Sequence, residues 1–252
     1  MPTFGPQHRT RWTLGWEAAR ANLVPGLILQ GCMLGLVAGY YASPSVADAL
    51  DQLAAFKLRH GLTFVLIAAL LAGALVPEIF LVIFFQGGRP NRRNLRNLCF
   101  TIPVWAIDGA LVDLLYRTEA AWFGDVVTLP VVAAKICLDQ FGYNPFFAAP
   151  FGVLAYEWKN LGFSLESLGR GVRGNHYRDR VIPTLLATWA VWIPLMAMIY
   201  SVPLALQFPL FSLALVFWVL LLTYMTNRFT AGTTRPAAAS LISSDAVGLH
   251  SS

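Results

Sequence analysis

Charged residues are scarce in this sequence. Lys, Arg, Asp and Glu make up 12% of the 252 residues, whereas they make up about a quarter of a soluble domain. Hydrophobic residues make up 57%, and the mean hydropathy is +0.59. The three cysteines are odd in number and fall in apolar stretches, which excludes a disulfide framework. The four histidines have no second histidine at helical spacing, so we expect no metal site.

Alternation of polar and apolar residues is also missing, and its absence excludes a transmembrane β-barrel. The apolar stretches are continuous instead, and a helix needs about 20 such residues to cross a bilayer. Six stretches qualify or nearly qualify, at residues 21–41, 61–86, 98–116, 126–156, 182–202 and 208–227. We therefore predict an all-α integral membrane protein with a single bundle of about six transmembrane helices.

The basic residues predict the orientation of this bundle. With six spans, all but four of the 18 Lys and Arg residues fall on one face; the others are Lys57, Arg59 and Arg117 on the opposite face and Lys135 inside a span. This asymmetry predicts that both termini lie on the cytoplasm-like side. It also favours the third stretch as a span, because without it five basic residues would change sides. The run RPNRRNLR fits a topology determinant or a lipid-headgroup contact better than a nucleic-acid site.

The ends of the chain differ from the transmembrane domain, which we place at residues 21–227. Residues 1–20 contain Trp12, Trp16 and three Arg, which predicts an interfacial segment in contact with membrane lipid. A weak mitochondrial targeting segment is the alternative. Residues 228–252 are small and polar, so we predict a disordered tail.

Ionisable residues within the apolar stretches are the first candidates for a functional site. Lys135, Asp139 and Gln140 lie in the fourth stretch, where burying a charge costs a few kcal/mol or more. Lys135 and Asp139 are four residues apart, so we expect them to share a helix face and to pair. The stretch is longer than one bilayer crossing requires, and Gly142 and Pro145 offer a place where the helix could break.

Two further acids are candidates for the same polar interior. Glu78 lies in the second stretch and Asp108 in the third, and neither has a basic partner in its own helix. Three carboxylates against one lysine favour either protonated acids or a shared hydrated cavity. The alternative is that the charges only lock helices together. No Ser/His, Cys/His or metal-ligand set lies within the spans, so we expect neither an enzyme nor a cofactor.

The segment TLPVVAAKICLDQFGYNP resembles the signature T-x(6)-K-x(3)-DQ-x(4)-P of the Mpv-seventeen and twenty-two-kilodalton peroxisomal membrane protein family. The stretch from residue 177 to 227 is similar to the second signature of that family. The residues carried over are Thr128, Lys135, Asp139, Gln140 and Pro145, and then Pro183, Thr184, Trp189, Trp192, Pro194, Val202, Pro203, Phe217, Trp218 and Tyr224. We expect the tryptophans to be packing residues.

This resemblance implies a small multi-helix protein of organelle membranes that passes small solutes with weak selectivity. The chain departs from the family pattern at Glu78, Ile79 and Phe80, which stand where the family has His, Trp and Tyr, and at Gln207 in place of Arg. It therefore resembles a divergent member, in the mitochondrial inner membrane, the peroxisomal membrane or a bacterial cell membrane. The alternative function is a non-transporting scaffold or assembly factor. A stripe of Gly31, Gly35 and Gly39 would allow a close helix contact inside the bundle or in a homo-oligomer.

Overall fold

The computed structural model describes residues 23–172 and 174–220. Helix accounts for 88% of these residues, and this part of the chain contains no β-strand. The prediction of an all-α chain is therefore confirmed for the described residues. The predictions for residues 1–20, for residues 228–252 and for Tyr224 fall outside them.

The first two helices form a sharp bend. Helix α1 is Leu23–Ala42 and α2 is Pro44–His60, and their axes meet at 104°. Ser43 between them has an extended backbone, and Pro44 fits the first turn of α2, where a helix has no need of its N–H. Four charged residues lie in α2 and none in α1. The bend thus separates an apolar helix from a mixed one.

The next helix contains a π-helical turn. Helix α3 is Leu62–Leu70 and α4 is Val76–Phe85, and π-helical residues Leu71–Leu75 join them into one helix of 24 residues. Pro77 follows this turn. In a regular α-helix its ring would clash with the carbonyl four residues earlier, and the wider π turn relieves that clash.

Helix α5, Arg92–Phe123, has 32 residues and begins inside the basic run. Asn91 accepts hydrogen bonds from the first backbone N–H groups, and the Asn94 side chain accepts one from the Asn91 N–H, which forms a capping box. Helix α5 extends beyond the predicted stretch, 98–116, at both ends, because this cap starts the helix early and α5 continues past residue 116. At 1.5 Å per residue, α5 is about 48 Å long, more than a hydrocarbon core of about 30 Å.

Small residues let α5 pack closely against the preceding helix. A Cβ at Gly73 would overlap the indole ring of Trp105, and a Cβ at Gly109 would overlap the side chain of Ala69. Glycine is therefore required at both contacts. Such small-residue contacts are a common way for helices to associate in lipid.

The fourth predicted stretch winds differently from an α-helix in its middle. Helix α6 is Leu129–Cys137, α7 is Ala149–Asn160, and the residues between them, Leu138–Ala148, are π-helical. We call Leu138–Ala148 the central π segment. The chain therefore changes its winding around Pro145 and does not break there. A short helix, α8, Leu165–Gly171, follows.

The last two described helices contribute much of the core. Helix α9, Ile182–Tyr200, follows π-helical residues Tyr177–Val181, and the two halves of this helix meet at 49°. Helix α10 is Leu204–Leu220. The side chains with 0% exposure in and around these two helices are Leu195, Ile199, Val202, Leu206, Phe208 and Ala214. They form a core with buried residues of α1 and α5.

Two helices of the described chain, Leu62–Phe85 and Arg92–Phe123, are long and apolar enough to cross a membrane. The number rises to four if each bent pair counts as one span. Large apolar side chains also point outward, among them Phe146 at 82% exposure and Leu129 at 83%, as expected where lipid covers the surface. The described residues are thus all-helical and include two to four helices able to cross a membrane, so length and apolarity alone do not reach the six predicted spans.

Candidate functional site

A partly open cavity of about 430 Å³ lies between α5, the central π segment, α7, α9 and α10. Asp108, Asp139 and Gln140 line it, so three of the five predicted interior residues meet at one place. None of the described residues that line it is Lys, Arg or His. Its remaining lining is largely aromatic and aliphatic. We call this cavity the acidic vestibule.

The vestibule occupies one end of the bundle. On α5 it extends from Trp105 to Tyr116, a rise of about 16 Å. It reaches Tyr156 near the end of α7 and Thr184 near the start of α9. On α7 and α9 these limits lie within four residues of Lys159 and Arg180, whereas on α5 the nearest lining residue, Trp105, is 13 residues from Arg92. The vestibule therefore extends from that basic end towards the middle of the bundle.

The side chains of Asp108, Asp139 and Gln140 differ in the hydrogen bonds that they accept. Asp139 Oδ2 accepts a hydrogen bond of 3.1 Å from the Tyr200 hydroxyl. Gln140 Oε1 accepts one of 3.4 Å from Asn144 Nδ2. Asp108 forms no hydrogen bond or ion pair with any described residue. It acts electrostatically on the hydroxyl of Tyr143. Asp108 is thus the half-buried carboxylate of the site that has no side-chain partner among the described residues.

Side-chain donors explain why the central π segment is stable despite Pro145. In a π-helix each N–H bonds to the carbonyl five residues earlier, so a proline at 145 leaves the carbonyl of Gln140 without its donor. Trp189 on α9 supplies one, because its Nε1 donates to the Gln140 carbonyl at 3.1 Å. The motif residues Pro145 and Trp189 therefore act on the same carbonyl: Pro145 removes its backbone donor, and Trp189 supplies a side-chain donor.

A second carbonyl is satisfied in the same way. The Ala149 N–H bonds to the carbonyl of Asn144, five residues back, so the next donor in the pattern would be residue 150. That residue is Pro150, and the Pro145 carbonyl would have no donor. The hydroxyl of Tyr177 donates to it at 2.8 Å. Two prolines thus free two carbonyls, and side chains from the following elements bind both.

The expected ion pair between Lys135 and Asp139 is not formed, so that prediction is wrong. The change to π winding begins between them at Leu138, and a π turn holds more residues than an α turn, so positions four apart no longer align. The carboxylate that attracts Lys135 most strongly is Glu119, followed by Asp125. Lys135 Nζ also lies 5.9 Å from the ring centroid of Tyr200, at the range of a cation–π contact.

Glu119 is the site residue that the sequence analysis missed. Its side chain has 0% exposure, and the Tyr200 hydroxyl lies close to its carboxylate, although neither carboxylate oxygen accepts a well-aligned hydrogen bond from a described residue. The predicted span ended before it, whereas α5 continues to Phe123. Its spacing from Asp108, Val112 and Tyr116 places all four on one helix face, a signal that was present in the sequence.

A group of large side chains separates the vestibule from Glu119 and Lys135. Tyr116 and Tyr200 are each 1% exposed, and their ring centroids lie 5.6 Å apart at 79°. The Tyr116 hydroxyl points to Met196 Sδ at 4.0 Å, and Phe211 lies 6.2 Å from the Tyr116 ring. We call Tyr116, Tyr200, Met196 and Phe211 the aromatic plug. Tyr116 and Met196 line the vestibule, whereas the structure places Glu119 and Lys135 outside its lining.

Glu78 does not join this site. Its Oε1 accepts hydrogen bonds from Asn94 Nδ2 at 2.6 Å and from Asn97 Nδ2 at 3.5 Å. Both asparagines belong to the first turns of α5, far along that helix from Asp108. The expectation of one interior shared by Glu78, Asp108 and Asp139 is therefore not met for Glu78, because the asparagines satisfy its carboxylate at the basic end.

A separate ion-pair group accounts for the other acid in the third predicted stretch. Asp113 Oδ1 lies 2.9 Å from Lys57 Nζ, and its Oδ2 lies 2.7 Å from Arg117 Nε. Lys57 and Asp113 are both buried. This group joins α2 to α5 and satisfies its charges internally, as a structural contact does.

The remaining motif residues divide between the vestibule and structural positions. Thr184, Trp192 and Trp218 line the vestibule, so two of the expected packing residues face the site. The structural positions are Thr128 at the N-cap of α6, Pro183 in the first turn of α9, Pro194 within α9 and Pro203 before α10.

No protein-family model, curated protein or solved structure matches the chain. The family resemblance therefore rests on the motif residues alone. Among the described residues, no three His, Cys, Asp or Glu side chains come together as a metal site.

Proposed function

We propose that the protein is a multi-pass membrane protein that forms a narrow pore for small solutes, closed in this conformation by the aromatic plug. One observation carries this proposal. The acidic vestibule ends on the buried Tyr116–Tyr200 contact, and a second pair of buried charges, Glu119 and Lys135, lies beyond that contact.

The state of these charges supports a path for water and solutes over a purely structural network. Buried polar groups in a structural network have hydrogen-bond partners, and the exceptions call for an explanation. Asp108 is half-buried and accepts no hydrogen bond from a described residue, and the buried carboxylate of Glu119 has only the Tyr200 hydroxyl close by, without a well-aligned hydrogen bond. Water that enters the vestibule can reach Asp108, and opening of the plug would let water reach Glu119 as well, which would offset the cost of holding charge in hydrocarbon.

The plug offers a simple way to open. Movement of the Tyr116 and Tyr200 rings would connect the vestibule to Glu119. The Tyr200 hydroxyl donates to Asp139 here and also interacts electrostatically with Glu119. Because a hydroxyl carries one proton, it serves one carboxylate at a time and can exchange between them. Carboxylates along the path favour cations over anions.

The proposed pore keeps the topology predicted from charge, with six spans and both termini on the basic side. Helices α6–α7 and α10 would supply the spans beyond the four that length and apolarity support. The resemblance to the peroxisomal membrane protein family supports passage of small solutes. A Cβ at Gly31 or Gly35 would contact no other described residue, so within the described structure that part of α1 is open to lipid or to a second subunit.

The alternative is a scaffold whose buried charges are structural. The Lys57–Asp113–Arg117 ion pairs and the hydrogen bonds of Glu78 to asparagines favour it, because these acids have partners within the protein. The two proposals differ in one respect: only the pore lets solutes cross a bilayer.

Efflux from proteoliposomes separates the two functions. We expect Tyr116→Ala to release small cations several-fold faster than the wild-type protein, because it removes the plug side chain that closes the vestibule. Phe217→Ala is the matched control, since Phe217 is 45% exposed and does not line the vestibule. If folded Tyr116→Ala protein releases no more solute than empty liposomes, the scaffold is favoured and the pore is rejected.

A further inference from the structure

The acidic vestibule has the features of a binding site for one charged small molecule. Its volume of about 430 Å³ falls within the range of about 300–1,000 Å³ of small-molecule pockets. Its lining combines an apolar surface with a few polar groups that converge on it, among them Asp108, Asp139 and Gln140. This combination is typical of a site that orients a ligand by charge and holds it by shape.

The sign of the ligand's charge follows from the lining. The vestibule contains two carboxylates and no basic residue among the described residues that line it. Asp139 already accepts a hydrogen bond from Tyr200, whereas Asp108 has no partner. The Tyr200 hydroxyl is neutral and leaves the charge of Asp139 in place, so Asp108 is the carboxylate free to contact a cation and Asp139 adds to the negative field of the vestibule. An anion would meet uncompensated repulsion, and a cation would relieve it.

The chemical nature of the cation follows from the aromatic side chains. Trp105, Tyr143, Tyr156, Trp192 and Trp218 all line the vestibule. Aromatic faces bind ammonium groups that carry alkyl substituents, and they do so most strongly where water is excluded. An inorganic divalent cation would need six or more oxygen ligands or an equivalent set, and no group of three possible metal-ligating side chains occurs in the described chain.

Tyr143 adds a polar contact on the Asp108 side. Its hydroxyl oxygen is buried and has no hydrogen-bond partner among the described residues. It interacts electrostatically with both Asp108 and Asp139. The hydroxyl of Tyr143 is thus part of the polar surroundings of both carboxylates.

We propose that the acidic vestibule binds a small organic monocation of the alkylammonium class, with its positive charge beside Asp108 and its alkyl groups against Trp192 and Trp218. This inference names a class of solute for the proposed pore. It rests on the pore function only in saying that the ligand crosses the membrane. Binding itself requires only that the vestibule be reached from water.

Equilibrium dialysis of labelled choline against the full chain in lipid nanodiscs tests the proposal. We expect saturable binding by the wild-type protein and no binding of 3,3-dimethylbutan-1-ol, a neutral molecule of the same shape. Asp108→Asn should weaken choline binding by about tenfold or more, because it removes the charge that faces the ammonium group. Trp192→Leu should weaken it as well, because it removes an aromatic face. Glu166→Gln is the control, since Glu166 is on α8, outside the vestibule lining, and its side chain is 83% exposed.

Folding is checked separately by the thermal unfolding of each variant. Asp108 makes no bond that Asn would break, so we expect Asp108→Asn to unfold at the wild-type temperature or above. Absence of saturable choline binding by the wild type, equal binding of the neutral alcohol, or unchanged binding by Asp108→Asn would each overturn the proposal. Solute efflux by the same protein preparation is scored independently. Choline binding without efflux by Tyr116→Ala rejects the pore alone, and efflux without choline binding rejects the organic cation alone.

Discussion

Lys135 is a buried charge whose most strongly attracting acid lies in another helix. Its ammonium group is attracted most by Glu119 on α5, although Asp139 is only four residues away in the chain. The chain changes from α-helical to π-helical winding at this point. Spacing along one helix favoured Asp139, but the π winding that begins at Leu138 turns Asp139 towards Tyr200.

A double-mutant cycle measures which acid Lys135 depends on. We expect Lys135→Met and Glu119→Gln to show a coupling free energy of about 1–3 kcal/mol, because each single change removes an opposite charge that acts on the other buried group. The coupling between Lys135→Met and Asp139→Asn should be smaller. The free energies come from reversible unfolding in mixed micelles. A larger coupling to Asp139 than to Glu119 would contradict the assignment.

The candidate site could be predicted in part from single residues. Asp108, Asp139 and Gln140 were identifiable because polar groups within apolar stretches are rare, and the structure brings them to one cavity. Glu119 was missed because it lies just beyond Arg117, where the apolar run ends. The contacts of Glu78 could not be predicted either, because they depend on how α4 meets the asparagines of α5.

The central π segment shows how an element depends on its neighbours. Its two freed carbonyls bind the Trp189 indole and the Tyr177 hydroxyl, and both donors lie more than 30 residues further along the chain, as sequence separations of 49 and 32 show. The apolar pattern predicted a helix here and a disturbance near Pro145. The type of winding could not be predicted, because it is decided by donors from other elements.

The link between Trp189 and Pro145 is testable at this scale. Trp189→Phe should destabilise the protein by about 1 kcal/mol, because it leaves the Gln140 carbonyl without a donor, while the phenyl ring keeps the contact with Phe141. In a Pro145→Ala background the same change should cost almost nothing, since residue 145 then offers its own N–H to that carbonyl. Unfolding free energies of the four proteins form the cycle.

Trp122→Phe is the control for loss of an indole, since Trp122 is 67% exposed. Its effect should be small and the same in both backgrounds. An equal loss of stability for Trp189→Phe with and without Pro145 would show that the indole acts through packing and not through the carbonyl.

Across the whole molecule, the continuous apolar runs predicted the all-helical membrane class and the approximate positions of most helices. The second stretch, at 61–86, agrees with Leu62–Phe85 to within one residue at each end. The bend of 104° between α1 and α2 was not predicted, because periodicity describes a helix and says nothing of the angle between two helices. The aromatic plug likewise requires four side chains from three helices to meet.

The measurement that tests the vestibule and its plug most directly is the accessibility of single cysteines in sealed vesicles. Cys32, Cys99 and Cys137 are first replaced by serine. One cysteine is then introduced at Thr188, which lines the vestibule, or at one of two markers, Arg92 at the start of α5 and Arg59 on α2. The markers lie near opposite ends of the Leu62–Phe85 helix.

A membrane-impermeant thiol reagent is added from one side at a time. We expect the cysteine at position 188 to react from the side that labels position 92 and not from the side that labels position 59, because the vestibule extends to the basic end and the plug closes its other end. Adding Tyr116→Ala should make position 188 reactive from both sides. Labelling of position 188 only from the side of position 59, or of both markers from the same side, would contradict a one-sided vestibule closed by Tyr116 and Tyr200.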